Sequence, residues 1–276
     1  MRAIRLMLLC VCVTFAGWVQ AGSVFVTGHD PIWHAGLGGN TVGAINLART
    51  GIEYARNGSS LPFLFIESSG PVPPGNAYTA PFLTSALGYS AASYTVMNFA
   101  TLMSLPDFRA ALNSYSSIVV ASDHGGMLSS AELGFLNTHS ADILSYLNAG
   151  GGLYAEAESN ATGQIGSTTP FGFLPFLVSS TSFQSAELTN IVTAFGAGLG
   201  LTNADVNGNF SHNFFASTGG MNVVDLFNGD PNRPLTLAFR GQLTPGGVIP
   251  EPATVALFGL ALGLFVAVRG RRVTRR

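Results

Sequence analysis

The chain has 276 residues, 47% hydrophobic and only 9% charged, which is too apolar for a disordered polypeptide and enough for a folded core. Its formal charge of −2 hides an asymmetry: seven arginines sit at the two ends, while residues 22–249 set five (Arg49, Arg56, Arg109, Arg233, Arg240) against thirteen acids, a net of −8. An acidic middle without a single lysine argues against nucleic acid as a partner, because phosphates are met by Lys and Arg.

Arg2 and Arg5, the apolar run Leu6 to Val19 and the small-residue step Val19-Gln20-Ala21 read as a secretory signal peptide, residues 1–21, cut after Ala21. Fourteen apolar residues fall short of the ~20 that span hydrocarbon. The expected partners are the export translocon and signal peptidase. Both cysteines, Cys10 and Cys12, lie in this run, so its removal leaves no thiol for a nucleophile, a disulfide or zinc.

Residues 22–243 are expected to form one exported domain. Strand and helix signals alternate: a strand at 23–27, a helix from Gly39 to Asn57 closed by Asn57-Gly58, and a continuous apolar strand at 61–66. A Pro/Gly loop follows at 70–76, then a strand at 94–99, a helix opened by Pro106 through Leu112, and a strand at 117–121. Ser129 or Ser130 caps a long helix to Asn148, Gly150-Gly151-Gly152 ends it, and a fifth strand covers 153–157. The pattern then weakens to a strand at 177–183, a helix from Glu187 to Leu199 and short strands near 221–227 and 235–240. Continuous apolar strands between amphipathic helices predict an α/β fold, a three-layer sandwich with a mostly parallel central sheet.

Ligands of such sheets bind beyond the carboxyl ends of the strands. The sequence places His29, Asp30 and His34 after the first strand, Asp123 and His124 after the fourth, and Glu156, Glu158 and Ser159 after the fifth. Histidine with carboxylate suits zinc or another divalent metal, the cofactor of a metal-dependent hydrolase. The same residues also read as turn formers, helix caps and solvated groups, since strand-end loops are polar by default. Ser159 with His212 as its base is a candidate nucleophilic pair, although Ala157 and Ala161 meet the small-residue rule of a nucleophile elbow only approximately. The glycines from Gly36 to Gly43 form an anion cradle or a flexible loop; they lack the P-loop lysine and the dinucleotide spacing. Phenylalanines at 171, 173, 176, 183, 210, 214, 215 and 227 serve either a sugar-stacking face or the core.

The stretch from Asp107 to Ser159, with "SYSSIVVASDHGG", a long helix and "LNAGGGLYAEAES", resembles the core of class I glutamine amidotransferase-like domains. Where that family carries a glycine-flanked cysteine nucleophile, this chain has Glu156-Ala157-Glu158-Ser159. The resemblance therefore implies the fold without glutamine hydrolysis.

The last segment, residues 244–276, runs through Pro250-Glu251-Pro252, an uncharged run from Ala253 to Val268 and a basic cluster of Arg269, Arg271, Arg272, Arg275 and Arg276. The run suits a short transmembrane helix, and the arginines place its end at the cytoplasmic face. These three parts in order resemble the PEP-CTERM sorting signal, recognised by the membrane protease-transpeptidase exosortase in Gram-negative bacteria that make extracellular polysaccharide. The resemblance implies that Pro250, Glu251 and Pro252 are the recognition tripeptide and that the helix anchors the protein in the inner membrane only transiently. The processed domain would then be secreted or transferred to the cell surface, with extracellular polysaccharide as a further partner. Two prolines keep the segment extended, as a protease requires of its substrate.

Overall fold

The computed structural model describes residues 22–70, 77–157, 170–174, 180–185, 187–209, 211–244 and 247–250, with 180–185 and 247–250 described by their backbone course alone. The expected signal peptide and C-terminal transmembrane helix therefore lie outside the described residues, as do the loop at 71–76, Glu158 and Ser159.

The first strand, β1 (Gly22–Thr27), is buried along its whole length. Helices α1 (Pro31–Leu37) and α2 (Thr41–Arg56) follow. The Asn40 side chain accepts from the Gly43 amide at the start of α2, and Asn57 ends it in the left-handed conformation at φ 49°. Then come β2 (Phe63–Ile66), α3 (Ala80–Ser85), β3 (Tyr94–Met97), α4 (Phe99–Met103), α5 (Phe108–Leu112) and β4 (Ser117–Val120). Asp107, not Pro106, caps α5, its carboxylate accepting from the Ala110 amide.

The long helix expected to Asn148 is broken in two, α6 (Ser130–Thr138) and α7 (Ser140–Asn148). Ser129 caps α6 through a reciprocal capping box with Glu132. The break falls at His139, whose φ and ψ of −98° and 20° leave the helical region while its ring binds Asp142 at 2.8 Å in the next turn. Strand β5 (Gly152–Ala155) completes the first half.

The second half departs further from expectation. Its elements are β6 (Ser180–Ser185), β7 (Ile191–Val192), α8 (Ala194–Gly198), β8 (Ser211–Phe215), β9 (Asn222–Leu226), β10 (Pro234–Thr244) and β11 (Gly247–Pro250). The helix expected from Glu187 shrinks to α8 because residues 191 and 192 pair with β9 and Thr193 caps the helix that follows.

The main sheet runs β3-β2-β4-β5-β1-β10-β9-β7, with β11 added to β10. Strands β3, β2, β4, β5 and β1 are mutually parallel. Strands β10, β9, β7 and β11 extend the sheet by antiparallel pairing, so the architecture is mixed α/β with the mostly parallel sheet that was expected. A separate ribbon pairs β6 with β8.

Alternation along the strands divides the core in two. Val24, Val26, Leu64, Ile66, Ile118, Val120 and Leu153 pack with residues of α4 to α7 on one face. Phe25, Phe63, Phe65, Val119 and Tyr154 pack with α1, α2 and α3 on the other. Helices on both faces of the parallel half give it the expected three layers. Among the aromatics, Phe171, Phe173, Phe215 and Phe227 are buried, which assigns these four to packing rather than to a sugar-binding face.

Candidate functional site

The parallel strands end on one edge, and the chain leaving them stays laddered for another residue or two. The Ala157 amide donates to the His29 carbonyl at 2.9 Å, and the Asp123 amide donates to the Ala157 carbonyl at 3.0 Å. This brings the three polar segments named by the sequence side by side.

Three buried glutamates on this edge are clamps for helix starts. Glu67, just after β2, accepts from the Thr79 and Ala80 amides at 2.7 and 2.8 Å and from the Thr79 hydroxyl, fixing the entry to α3. Glu156, just after β5, accepts from the Ile32 amide of α1 at 2.9 Å and from the Tyr154 hydroxyl at 2.8 Å. Glu132 accepts from the Phe99 amide at the start of α4 and from Ser68 and Ser129. A carboxylate suits these positions because the first amides of a helix have no partner within it. Burial pushes Glu67 up to about 7, against the pull of its Thr79 and Ala80 donors, and holds Glu156 well above the carboxylate range.

The histidines form two adjoining clusters. In the first, Asp30 Oδ1 lies 3.2 Å from His34 Nε2 and 3.3 Å from His212 Nε2, all three side chains being buried. Burial alone would raise the Asp30 carboxyl, but His212 and His34 outweigh it and hold it at about 2. His34 contacts the Gly38 carbonyl at 2.9 Å through Nδ1 and Asp30 through Nε2, and despite burial its pKa is raised by Asp30. His124 is half-buried and lies against His212 with ring centroids 3.6 Å apart. Burial and the neighbouring His212 lower its pKa to about 4, so it is neutral at pH 7. Gly125 lets the chain after β4 lie against Asp30, since a Cβ there would come within 2.0 Å of Asp30 Oδ2.

In the second cluster His29 lies between two acids, with Nε2 2.9 Å from Asp225 Oδ2 and Nδ1 3.3 Å from Glu187 Oε1. Burial disfavours its charge, yet Asp225 and Glu187 together push its pKa to about 10. The Ser211 hydroxyl donates to Glu187, and the Thr27 and Thr236 hydroxyls meet at 2.8 Å across β1 and β10. Gly28 makes the junction possible: a Cβ there would lie 1.8 Å from the Asn213 carbonyl, where β8 crosses. The His212 amide donates to the Gly28 carbonyl at 2.7 Å.

The structure thus gathers His29, Asp30, His34 and His124, but divides their side chains between two centres and adds His212 to the Asp30 group. Asp123 is buried on the same edge, and Glu156 is turned to α1. Because Ser159 is outside the described residues, only the His212 half of that pair is placed. Among the described residues no three His, Cys, Asp or Glu side chains are arranged to hold a metal ion. The contacts account for this, since His29, His34 and His212 are each matched to carboxylates at ion-pair distance. Sequence reading missed Glu67, Glu132, Glu187, Ser211 and Asp225. Asp225 carried the clearest signal, a lone charge in the apolar run "NVVDL".

The glycines from Gly36 to Gly43 form the end of α1, a turn and the start of α2. Two of the amides an anion would need are occupied, Asn40 donating to the Gly208 carbonyl and Gly43 to Asn40 Oδ1. At the opposite, amino edge of the strands a 520 Å³ cleft is lined by Arg56, Tyr115 and Tyr146. Its one cation is engaged by Glu53, Ser59 and Leu61.

Residues 248–272 match the PEP-CTERM protein-sorting motif. The match implies export, membrane anchoring before processing and exosortase as the processing partner. No curated protein matches the chain. The motif begins inside β11, so the PEP-CTERM segment and the folded sheet overlap at residues 248–250. No helix of the described residues is long and apolar enough to cross a membrane; residues 251–276 lie outside them.

Proposed function

We propose that the protein is an exported α/β domain that exosortase releases or transfers to the cell surface or the extracellular polysaccharide matrix. The PEP-CTERM match at residues 248–272 carries this reading. The N-terminal signal and the arginine cluster after Val268 agree with it, as they orient the domain outside and the tail inside. The order β4, α6, α7, β5 in parallel register supports placing the domain near the amidotransferase-like folds. Glu156 at the end of β5 is a helix clamp, which fits a domain without amidotransferase chemistry.

The test is cell fractionation of the full-length chain in a host with exosortase. A Glu251→Ala variant should remain in the membrane fraction as an uncut precursor. Release of that variant at the wild-type rate overturns the reading.

A metal-dependent hydrolase is the second reading, favoured by one observation, the two imidazole nitrogens aimed at a single Asp30 oxygen. Asp30, His34 and His212 would have to exchange their mutual contacts for the ion, since the described residues as they stand are not arranged to hold one. Stoichiometric zinc or manganese in the purified protein, lost in Asp30→Ala, supports this reading; metal content that the substitution does not change sinks it.

A further inference from the structure

Strand β11 pairs with the end of β10, Thr244 opposite Gly247, Leu243 opposite Val248, Gln242 opposite Ile249 and Gly241 opposite Pro250. Gly241 also pairs with Gly22 of β1, so β11 lies on the far side of β10 from β1. Among the described residues β10 is its only strand partner. The first residue of the sorting tripeptide, Pro250, is therefore part of the sheet. Only Glu251 and Pro252 separate it from the uncharged run beginning at Ala253.

Two residues span at most about 7 Å, which is less than the walls of a protease cleft need to close around an extended chain. Release of β11 moves the last anchored residue back to Thr244 and frees eight residues, about 27 Å of reach. It also frees the backbone groups that β10 occupies and that a protease cleft uses to hold an extended substrate. A four-residue strand held from one side opens locally without unfolding the domain.

We propose that the β10–β11 hairpin is a latch on the sorting signal. Closed, it holds Pro250 against the domain and keeps the tripeptide out of the exosortase cleft. Open, it presents the tripeptide on a flexible tether, so hairpin opening gates processing. This inference rests on the exosortase reading above.

The test is a disulfide across the hairpin in the full chain, made as Gln242→Cys with Ile249→Cys and as Leu243→Cys with Val248→Cys. Close and wide pairs alternate in an antiparallel ladder, so one of the two double variants has the closer spacing. The new cysteines are the only ones after residue 12. Pulse-chase in membrane preparations containing exosortase compares the oxidised and reduced forms of the same chain, so a folding defect affects both. The latch predicts processing at least tenfold slower in the oxidised form, restored by reductant. It also predicts recovery in the oxidised form when eight Gly/Ser residues are inserted between Ile249 and Pro250, which restores reach without opening the hairpin. Equal rates for oxidised and reduced chains in both double variants overturn the latch, as does a block that the insertion fails to relieve. Glu251→Ala separates the two ideas: its normal processing overturns the exosortase reading, whereas its loss of processing with an unaffected disulfide variant overturns the latch alone.

Discussion

The interior of the parallel half and the seam where the antiparallel strands join it are equally buried but differently built. In the first, Phe63 to Ile66 and Ile118 to Val120 fill both faces with aliphatic and aromatic side chains. At the seam, buried charge replaces them: His29 between Asp225 and Glu187, and Asp30 between His34 and His212. Apolar burial is roughly proportional to area and tolerates repacking. Buried charges tolerate little, because each must recover its desolvation cost from a partner in the right place. The parallel interior thus supplies stability, while the seam fixes where β8, β9 and the Glu187 segment must sit.

The largest loss is expected from Asp225→Ala, which strips His29 of its closer partner. Denaturant unfolding should show a loss of about 3–5 kcal/mol. Replacing the set together, His29→Leu with Glu187→Leu and Asp225→Val, should cost less than the single change, since no charge is left buried alone. A larger loss in the triple variant would show that the seam is a net source of stability. Leu64→Ala, in the parallel interior, should cost about 2–5 kcal/mol by the same measurement, with the lost area and the cavity as its causes.

Acidity and alkalinity should act on the seam before the interior. The folded pKa of His29, about 10, exceeds its ordinary 6.5, so its contribution is complete below 6.5 and is lost as pH rises through 10. Asp30, at about 2 against an ordinary 3.8, contributes above 3.8 and loses that contribution as pH falls through 2. Thermal unfolding followed against pH should show the alkaline decline in the wild type and a weaker one in Asp225→Asn. An unchanged decline would remove His29 from the account. The smallest effect is expected at Ser129→Ala, which removes one side of the capping box of α6 and should cost about 1 kcal/mol.

The two regions also differ in how far they could be read from sequence. The strands at Phe63, Ser117 and Gly152 stand out as apolar runs because both of their faces are covered. Strand β8 was not legible: Ser211, His212 and Asn213 look like loop residues, and their burial depends on contacts with Glu187, Asp30 and the Gly28 carbonyl. The break at His139 was equally hidden, since the apolar periodicity runs through it. For the site, the positions of His29, Asp30, His34 and His124 were legible as polar groups after strands. The partners of His29 were not, because Glu187 and Asp225 lie more than 150 residues away in the chain.

Sequence alone determined the sorting segment and the parallel α/β half, because each is encoded by contiguous residues: an ordered tail of tripeptide, apolar run and arginines, and an alternation of apolar strands with amphipathic helices. Which carboxylates His29 and His212 meet, and that the sheet reaches Pro250 inside the sorting motif, were set by the three-dimensional fold. Both depend on strands paired across long stretches of chain, and the free energy of such pairings belongs to no single segment.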